Sequence, residues 1–282
     1  MPTQAEKAAR FQALHQGPEL LVIANPWDAG TARLLTSLGF AALSTTSAGL
    51  AFTLGYRDGT GSVTRDQALA NARSIVDATP LPVAADLENG YGPSPEAAAE
   101  TIRLAATAGL VGGSIEDASG DPSNPIYEFN HSVERIHAAV AAARALPFPF
   151  TLVARAENYL HGHPNLDDTV RRLQAFEAAG ADVLYAPGIA CAEDIRTLCA
   201  SVSKPVNVLM GLKGAPLLSV ADLHALGVRR VSIGSGFARA ALTAFLHAAR
   251  EVKDHGTFTF TEETLYMSEI TGLFEYTDEF GA

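Results

Sequence analysis

Eight short apolar runs, each followed by a stretch with helical punctuation, constrain this chain more than any other feature. They begin at Leu20 (LLVIANPW), Ala41 (AALSTTS), Leu81 (LPVAADLENG), Val111 (VGGSIEDA), Phe150 (FTLVARAEN), Ala181 (ADVLYAPG), Pro205 (PVNVLMG) and Arg229 (RRVSIGS). Continuous β-branched and aliphatic runs of this length read as strands buried on both faces. The segments between them carry helix signals. Thr64-Arg-Asp-Gln67 has the capping-box pattern, Ser94-Pro95 sets a cap residue before a first-turn proline, and Gly109, Gly180 and Gly227 stand where helices end. Strand and helix alternating eight times predict a parallel sheet closed into a (β/α)8 TIM-type barrel; an open doubly wound sheet is the competing arrangement.

With 282 residues, the chain has the length of one such barrel, so residues 1–282 are expected to form a single domain. The tail from about Thr257 to the end, 257–282, lies outside the eightfold count and carries six aromatics. It is expected to cover the chain's own barrel or to pack on a neighbouring subunit. A net charge of −11 argues against nucleic-acid or acidic-membrane binding, and no apolar run approaches a membrane span. Cys191 and Cys199 are eight residues apart in one expected helix, about 12 Å, too far for a disulfide. With no secretory h-region at the N-terminus, the expected location is the cytoplasm.

Barrel enzymes build their sites at the C-terminal ends of the strands. Here the third run ends in Asp86-Leu-Glu88, the fourth in Ile115-Glu116-Asp117, the fifth in Arg155-Ala-Glu157, and the second leads into a loop holding Asp58. Asp86 and Glu88, two apart, are expected on one face of a strand. Several carboxylates aimed into one mouth, with no cysteine beside them, suit a hard cation such as Mg²⁺ that takes one or two directly and the rest through water. Asp28, Glu116 and Asp117 have the simpler alternative of capping helices or anchoring turns. Arg155 suits a substrate carboxylate or phosphonate, or else an ion pair with Glu157 or Glu116. The turn-rich segment Ala118–Asn130 follows the fourth run and is placed to act as a lid.

At Asp86-Leu-Glu-Asn-Gly-Tyr-Gly92, Ser114-Ile-Glu-Asp117 and Ala154-Arg-Ala-Glu157 the sequence resembles the isocitrate lyase/phosphoenolpyruvate mutase superfamily, above all its small methylisocitrate lyase and phosphonopyruvate hydrolase-like branch. The resemblance runs from about Asn25 to Gly234. It implies a Mg²⁺-dependent enzyme (Mn²⁺ as a substitute) that cleaves or forms a C–C or C–P bond beside a 2-oxo acid through a metal-stabilised enolate. It also implies a homo-oligomer, a dimer of dimers that swaps C-terminal helices. By the same resemblance Asp86 is the direct metal ligand, while Asp58, Glu88 and Glu116 hold its waters. Thr46, Ser47, the backbone at Ala48, Arg155 and Asn207 bind the 2-oxo or 2-hydroxy acid. Lyases of this family carry a Lys-Lys-Cys-Gly-His type motif after the fourth strand. Here that loop has no Cys, Lys or His before His131, and Asn124 stands without the lysine of the mutases and hydrolases. Cleavage of isocitrate is therefore expected to be weak, and either Tyr91 or a metal-bound water is left to deliver the proton, with nothing in the sequence to choose between them.

Three rival readings come from the residues alone. Lys213, after the seventh run, would serve a Schiff-base aldolase. Gly234-Ser-Gly236 would seat a phosphate at the start of the last helix. A protein that binds Mg²⁺ and a 2-oxo acid without turning it over would tolerate the altered loop. His161 and His163 are too few to make a zinc site.

Overall fold

A computed structural model describes residues 1–274. Eight parallel strands lie in the order β1-β8-β7-β6-β5-β4-β3-β2: β1 (Leu21–Ile23), β2 (Leu43–Ser44), β3 (Val83–Asp86), β4 (Gly112–Glu116), β5 (Thr151–Arg155), β6 (Val183–Tyr185), β7 (Val206–Leu209) and β8 (Arg230–Ser232). The ring closes between β1 and β2 through a parallel bridge at Ala24–Leu43, with Ser44 N–H donating to Ala24 O at 2.9 Å. Asn25 extends the closure with its side chain. Its Nδ2 donates to Ser44 O and Thr45 O, while its Oδ1 accepts the Ile233 and Gly234 N–H groups. The expected (β/α)8 barrel is the fold that forms.

Around it lie α1 (Gln4–Gln16), α2 (Ala29–Ser37), α3 (Ser47–Thr53), α4 (Arg65–Asp77), α5 (Pro95–Thr107), α6 (Phe129–Arg144), α7 (Leu166–Ala178), α8 (Ala192–Ala200), α9 (Val220–Ala225), α10 (Gly236–His255) and α11 (Met267–Gly272). Caps fall where the sequence places them. Thr64 and Gln67 form the reciprocal box of α4, Ser94 caps α5 ahead of Pro95, and Asp28 caps α2. Glu116 and Asp117 cap nothing; both turn toward arginines.

The N-terminal end of the barrel is plugged by α1. Phe11 is fully buried and packs with Leu21, Ile23, Ala42 and Ala84. It fits because β4 has no side chain at Gly112, where a Cβ would lie 2.8 Å from the Phe11 ring. His15, one turn on, bonds Phe11 O through Nδ1 at 2.8 Å and turns Nε2 toward Arg230 Nη1 at 3.4 Å. Burial, reinforced by the Arg230 charge, pushes His15 down to about 4. The unfolded chain therefore binds a proton at His15 that the folded chain refuses between about pH 6.5 and 4, and stability falls as pH falls through that window. A His15→Gln variant should lose up to about 3 kcal/mol less than the parent between pH 7 and 4. Urea melts across that range measure the difference, and parallel curves would exclude His15 as the source.

Sequence register also creates a polar diagonal inside the barrel. Glu116 pairs with Arg155, Arg155 with Tyr185, Tyr185 with Asn207, and Asn207 with Arg230, on five successive strands. Glu116 ends its strand and Arg230 begins its own, so the row descends from the C-terminal mouth to the α1 plug. Barrel interiors are ordinarily layers of Val, Ile and Leu.

Beyond the barrel, α10 runs for 20 residues and leaves Leu242, Phe245 and Leu246 exposed. The exposed apolar surface thus begins well before the expected boundary at 257. It continues through Phe258, Tyr266 and Met267, while Phe274 returns to lie 3.8 Å from where a Gly30 Cβ would stand. Of the tail's six aromatics, Tyr276 and Phe280 lie outside the described residues.

Candidate active site at the C-terminal mouth

Arg155 organises the mouth. Its Nη1 donates to Asp86 Oδ1 at 2.7 Å, its Nη2 meets Glu116 Oε2 at 3.1 Å, and its Nε donates to Glu157 Oε1 at 2.8 Å. The guanidinium carbon lies 5.2 Å from the centre of the Tyr185 ring, which closes the space beneath it. Burial works against the charge of Arg155 but is outweighed by Glu157, Asp86 and Glu116, which raise it well above its ordinary range. The structural ion pair considered for Arg155 is therefore present, with three acids rather than one. A guanidinium has five N–H donors, so two stay available.

Asp86 ends β3, and its second oxygen is also held: Ser47 donates to Oδ2 through Oγ at 2.8 Å and N–H at 3.4 Å. Thr46 directs its hydroxyl to Gly49 N–H as the cap of α3, and Ala48 is buried in the first turn. Asn207 is 2% exposed and donates to Ser232 Oγ at 2.9 Å, leaving Oδ1 without a partner among the described residues.

Glu88 departs from its expected geometry. The strand stops at Asp86, and Glu88 takes a left-handed backbone, φ 47°, so the alternation of a strand does not place its side chain. Tyr91 is left-handed as well, φ 56°. The strain of about 1–3 kcal/mol at each such residue needs support from the surroundings. Buried Arg135 of α6 supplies it by donating to Asn89 O, Gly92 O and Ser94 O, and Thr101 adds a bond to Gly90 O. The turn still delivers Glu88 to the mouth. Burial, then Asp86 and Asp58, push its carboxyl up to about 7. Burial and the neighbouring acids likewise raise the Tyr91 phenol, Glu88 foremost among them.

Glu116 is raised by burial and by Glu157, Asp86 and Glu88, against the pull of Arg155. Asp58 stands on the exposed loop between α3 and α4, where partial desolvation and the Asp86 charge raise it. One arginine thus faces more acid than it can neutralise, in a donor set made of oxygen. A hard divalent cation fits that surplus. Among the described residues, no three His, Cys, Asp or Glu side chains group closely enough to ligate one ion directly. That leaves at most two side chains of these types for direct ligation in this arrangement, and the other acids could reach the ion through water.

Sequence reasoning missed the support behind the mouth. Asp117, fully buried, accepts Glu157 N–H at 2.8 Å through Oδ1 and Arg172 Nη1 at 3.0 Å through Oδ2. Arg172 also holds Tyr127 O at 3.1 Å, which anchors the end of the β4–α6 loop. That loop is internally tied by an Ala118–Ile126 bridge and by Ser119, whose hydroxyl donates to Asn124 O at 2.5 Å. Lys213, His161 and His163 lie on exposed loops. The Gly234 N–H that would cradle a phosphate is taken by Asn25.

Comparison with known proteins agrees with this architecture. The phosphoenolpyruvate phosphomutase family profile matches residues 11–253. A provisionally assigned lyase/mutase from Burkholderia cenocepacia J2315 superposes with a TM-score of 0.94 and 58% identity, covering 98% of each chain. An uncharacterized protein of Mycobacterium tuberculosis (strain CDC 1551 / Oshkosh) is 34% identical over 252 residues, 86% of this chain and 89% of that protein. An oxaloacetate decarboxylase of Bradyrhizobium diazoefficiens is 28% identical over 270 residues, 93% and 90% of the two chains. Matched along nearly the whole barrel by the family profile and over 86–98% of its length by these proteins, the chain belongs to the phosphoenolpyruvate mutase/isocitrate lyase superfamily of lyases and mutases that act on C–C or C–P bonds.

Proposed function

We propose that this protein is a Mg²⁺- or Mn²⁺-dependent lyase that breaks or forms a C–C or C–P bond next to the keto group of a small 2-oxo acid. The observation that carries the reading is the Arg155 knot, one buried guanidinium shared by Asp86, Glu116 and Glu157 at the C-terminal mouth. Asp86 is the direct metal ligand; Asp58, Glu88 and Glu116 hold its waters. When bound, the cation supplies Lewis-acid stabilisation of the enolate that all these bond cleavages share.

The protein's own groups do the rest. The two remaining N–H donors of Arg155 bind the substrate carboxylate and, in a buried setting, stabilise charge that develops beside it. Ser47 keeps Asp86 turned toward the mouth. Thr46 and Ala48 supply backbone along the carboxylate subsite, and Asn207 lines its deep side. The Tyr91 phenol, kept protonated by burial and by Glu88, is the candidate donor to the carbanion carbon.

The test is NMR monitoring of isocitrate, methylisocitrate, oxaloacetate, substituted malates and phosphonopyruvate with Mg²⁺, repeated with EDTA and with Asp86→Asn. Turnover of one acid is expected, lost in both controls, with isocitrate a poor substrate. Binding without turnover of any acid would instead favour a 2-oxo acid sensor. Neither turnover nor Mg²⁺-dependent binding would overturn the reading.

The same proposal includes assembly. Leu242, Phe245 and Leu246 form an exposed apolar stripe at helical spacing on α10, continued by Tyr266 and Met267, and a second copy of this chain is the partner that covers it through exchanged C-terminal segments. Light scattering should report a tetramer, and Phe245→Glu should shift it to smaller species. A monomeric parent protein would refute this part.

A further inference from the structure

We propose that the N-terminal end of the barrel, opposite the acidic mouth, carries a second site that binds a phosphorylated small molecule through Lys204 and Arg229, with the His15 ring in its wall. A cavity of about 480 Å³ opens there between the α1–β1 turn, the start of β7 and the α9–β8 turn, and these three side chains line it. They converge from three distant parts of the sequence. The mechanism at the mouth uses none of them.

The charge at this crevice is uncompensated. Among the described residues, neither Lys204, Arg229 nor Arg230 has a carboxylate within ion-pair distance, although the chain as a whole carries −11. Glu177, the acid that reaches this rim, is taken by the Ser203 N–H and hydroxyl. Arg229 is oriented by the protein itself: Nη1 donates to Pro18 O at 2.8 Å and meets His224 Nε2 at 3.0 Å. Its Nε and Nη2 make no bond to the described residues and stay open to an anion.

Behind His15 sits Arg230, 5% exposed, with a buried Nε that has no partner among the described residues. It is the lowest residue of the polar diagonal and adds positive potential to the crevice. Burial alone pushes this guanidinium down to about 10, as expected of a charge lacking its counter-ion. An oxyanion at the crevice would relieve it.

The chemistry selects the ligand class. Lysine is a point charge, arginine a planar fork, and together they suit a phosphate dianion better than a single carboxylate. The cavity exceeds the volume of a phosphate, which leaves room for a short organic group. A phosphomonoester matches both features. The site is independent of the chemistry proposed at the mouth.

The experiment follows the His15 ring resonances, assigned with His15→Gln, during titration at pH 7.5 with inorganic phosphate and with glycerol phosphate. Saturable shifts are expected with both, with glycerol phosphate binding at least threefold more tightly. Lys204→Met, at an exposed residue without a partner among the described residues, should weaken binding at least threefold, and Lys204→Met/Arg229→Gln at least tenfold. Arg155→Lys should leave binding unchanged, which separates this site from anion capture at the mouth. The absence of a saturable shift, unchanged affinity in the double variant, or loss in Arg155→Lys would overturn the proposal. Equal affinity for the two phosphates would overturn the phosphomonoester.

Discussion

Arg155→Met is expected to lower turnover of the acid this protein consumes by about 100- to 1,000-fold. It should also cost about 3–5 kcal/mol of stability above neutral pH. The two effects share one cause. Arg155 holds Asp86, Glu116 and Glu157 at 2.7–3.1 Å, and no other arginine or lysine pairs with these acids among the described residues. Removing it leaves buried carboxylates facing one another, and it removes the donors proposed for the substrate. Burial already raises Glu116 and Glu88, the latter to about 7, with Arg155 pulling both down. Without that pull both bind protons more tightly, so the stability deficit should grow as pH rises through 7 and shrink toward pH 5. Arg155→Lys restores the charge but not the fork. It should recover most of the stability and little of the activity. Denaturation at pH 5.5 and 8, beside steady-state kinetics, measures both, and a methionine variant within tenfold of the parent would remove Arg155 from the chemistry.

What the sequence makes legible here follows the range of the interactions. Strands, caps and C-terminal glycines are local, and Thr64–Gln67, Ser94–Pro95, Gly109, Gly180 and Gly227 all stand as read. The rule that barrel strands present their last residues to the site is also local, and it brings Asp86, Glu116 and Arg155 into contact distance. Glu88 escaped because alternation holds only while the strand lasts, and β3 ends two residues before it. Its own N–H and C=O are held by Asp86 Oδ1 and the Glu116 N–H, and the turn beyond it by Arg135, which lies 46 residues from the Asn89 carbonyl it binds. The polar diagonal from Glu116 to Arg230 depends on register across five strands, which no single run encodes. The apolar stripe of α10 was hidden for another reason. Its Leu242, Phe245 and Leu246 have the spacing of a core-facing helix, and only the fold leaves that face uncovered.

The second large effect is expected at Arg172, which touches none of the residues proposed to bind substrate. Arg172→Met should destabilise the protein by about 3–5 kcal/mol at pH 8. The side chain ties α7 to the ends of β4 and β5 through Asp117 and to the β4–α6 loop through Tyr127 O, with Nε held by Asp168 Oδ2 at 2.8 Å. Asp117 cannot turn to water, since its side chain is 1% exposed. Burial pushes it up to about 6, even with Arg172 and the Glu157 N–H lowering it. Deleting Arg172 moves it higher still. The variant must then bury an unpaired charge at pH 8 or bind a proton, whereas near pH 5 a neutral carboxyl needs no cation. The deficit should therefore shrink as pH falls through about 6. Asp117→Asn/Arg172→Met tests the cause. Asparagine keeps the oxygen that accepts Glu157 N–H and removes the charge, so the double variant should exceed Arg172→Met by about 2 kcal/mol at pH 8. If it does not, or if the single variant loses equally at pH 5 and 8, Arg172 acts through packing and its bonds to Tyr127 and Ser132 instead of through the buried charge.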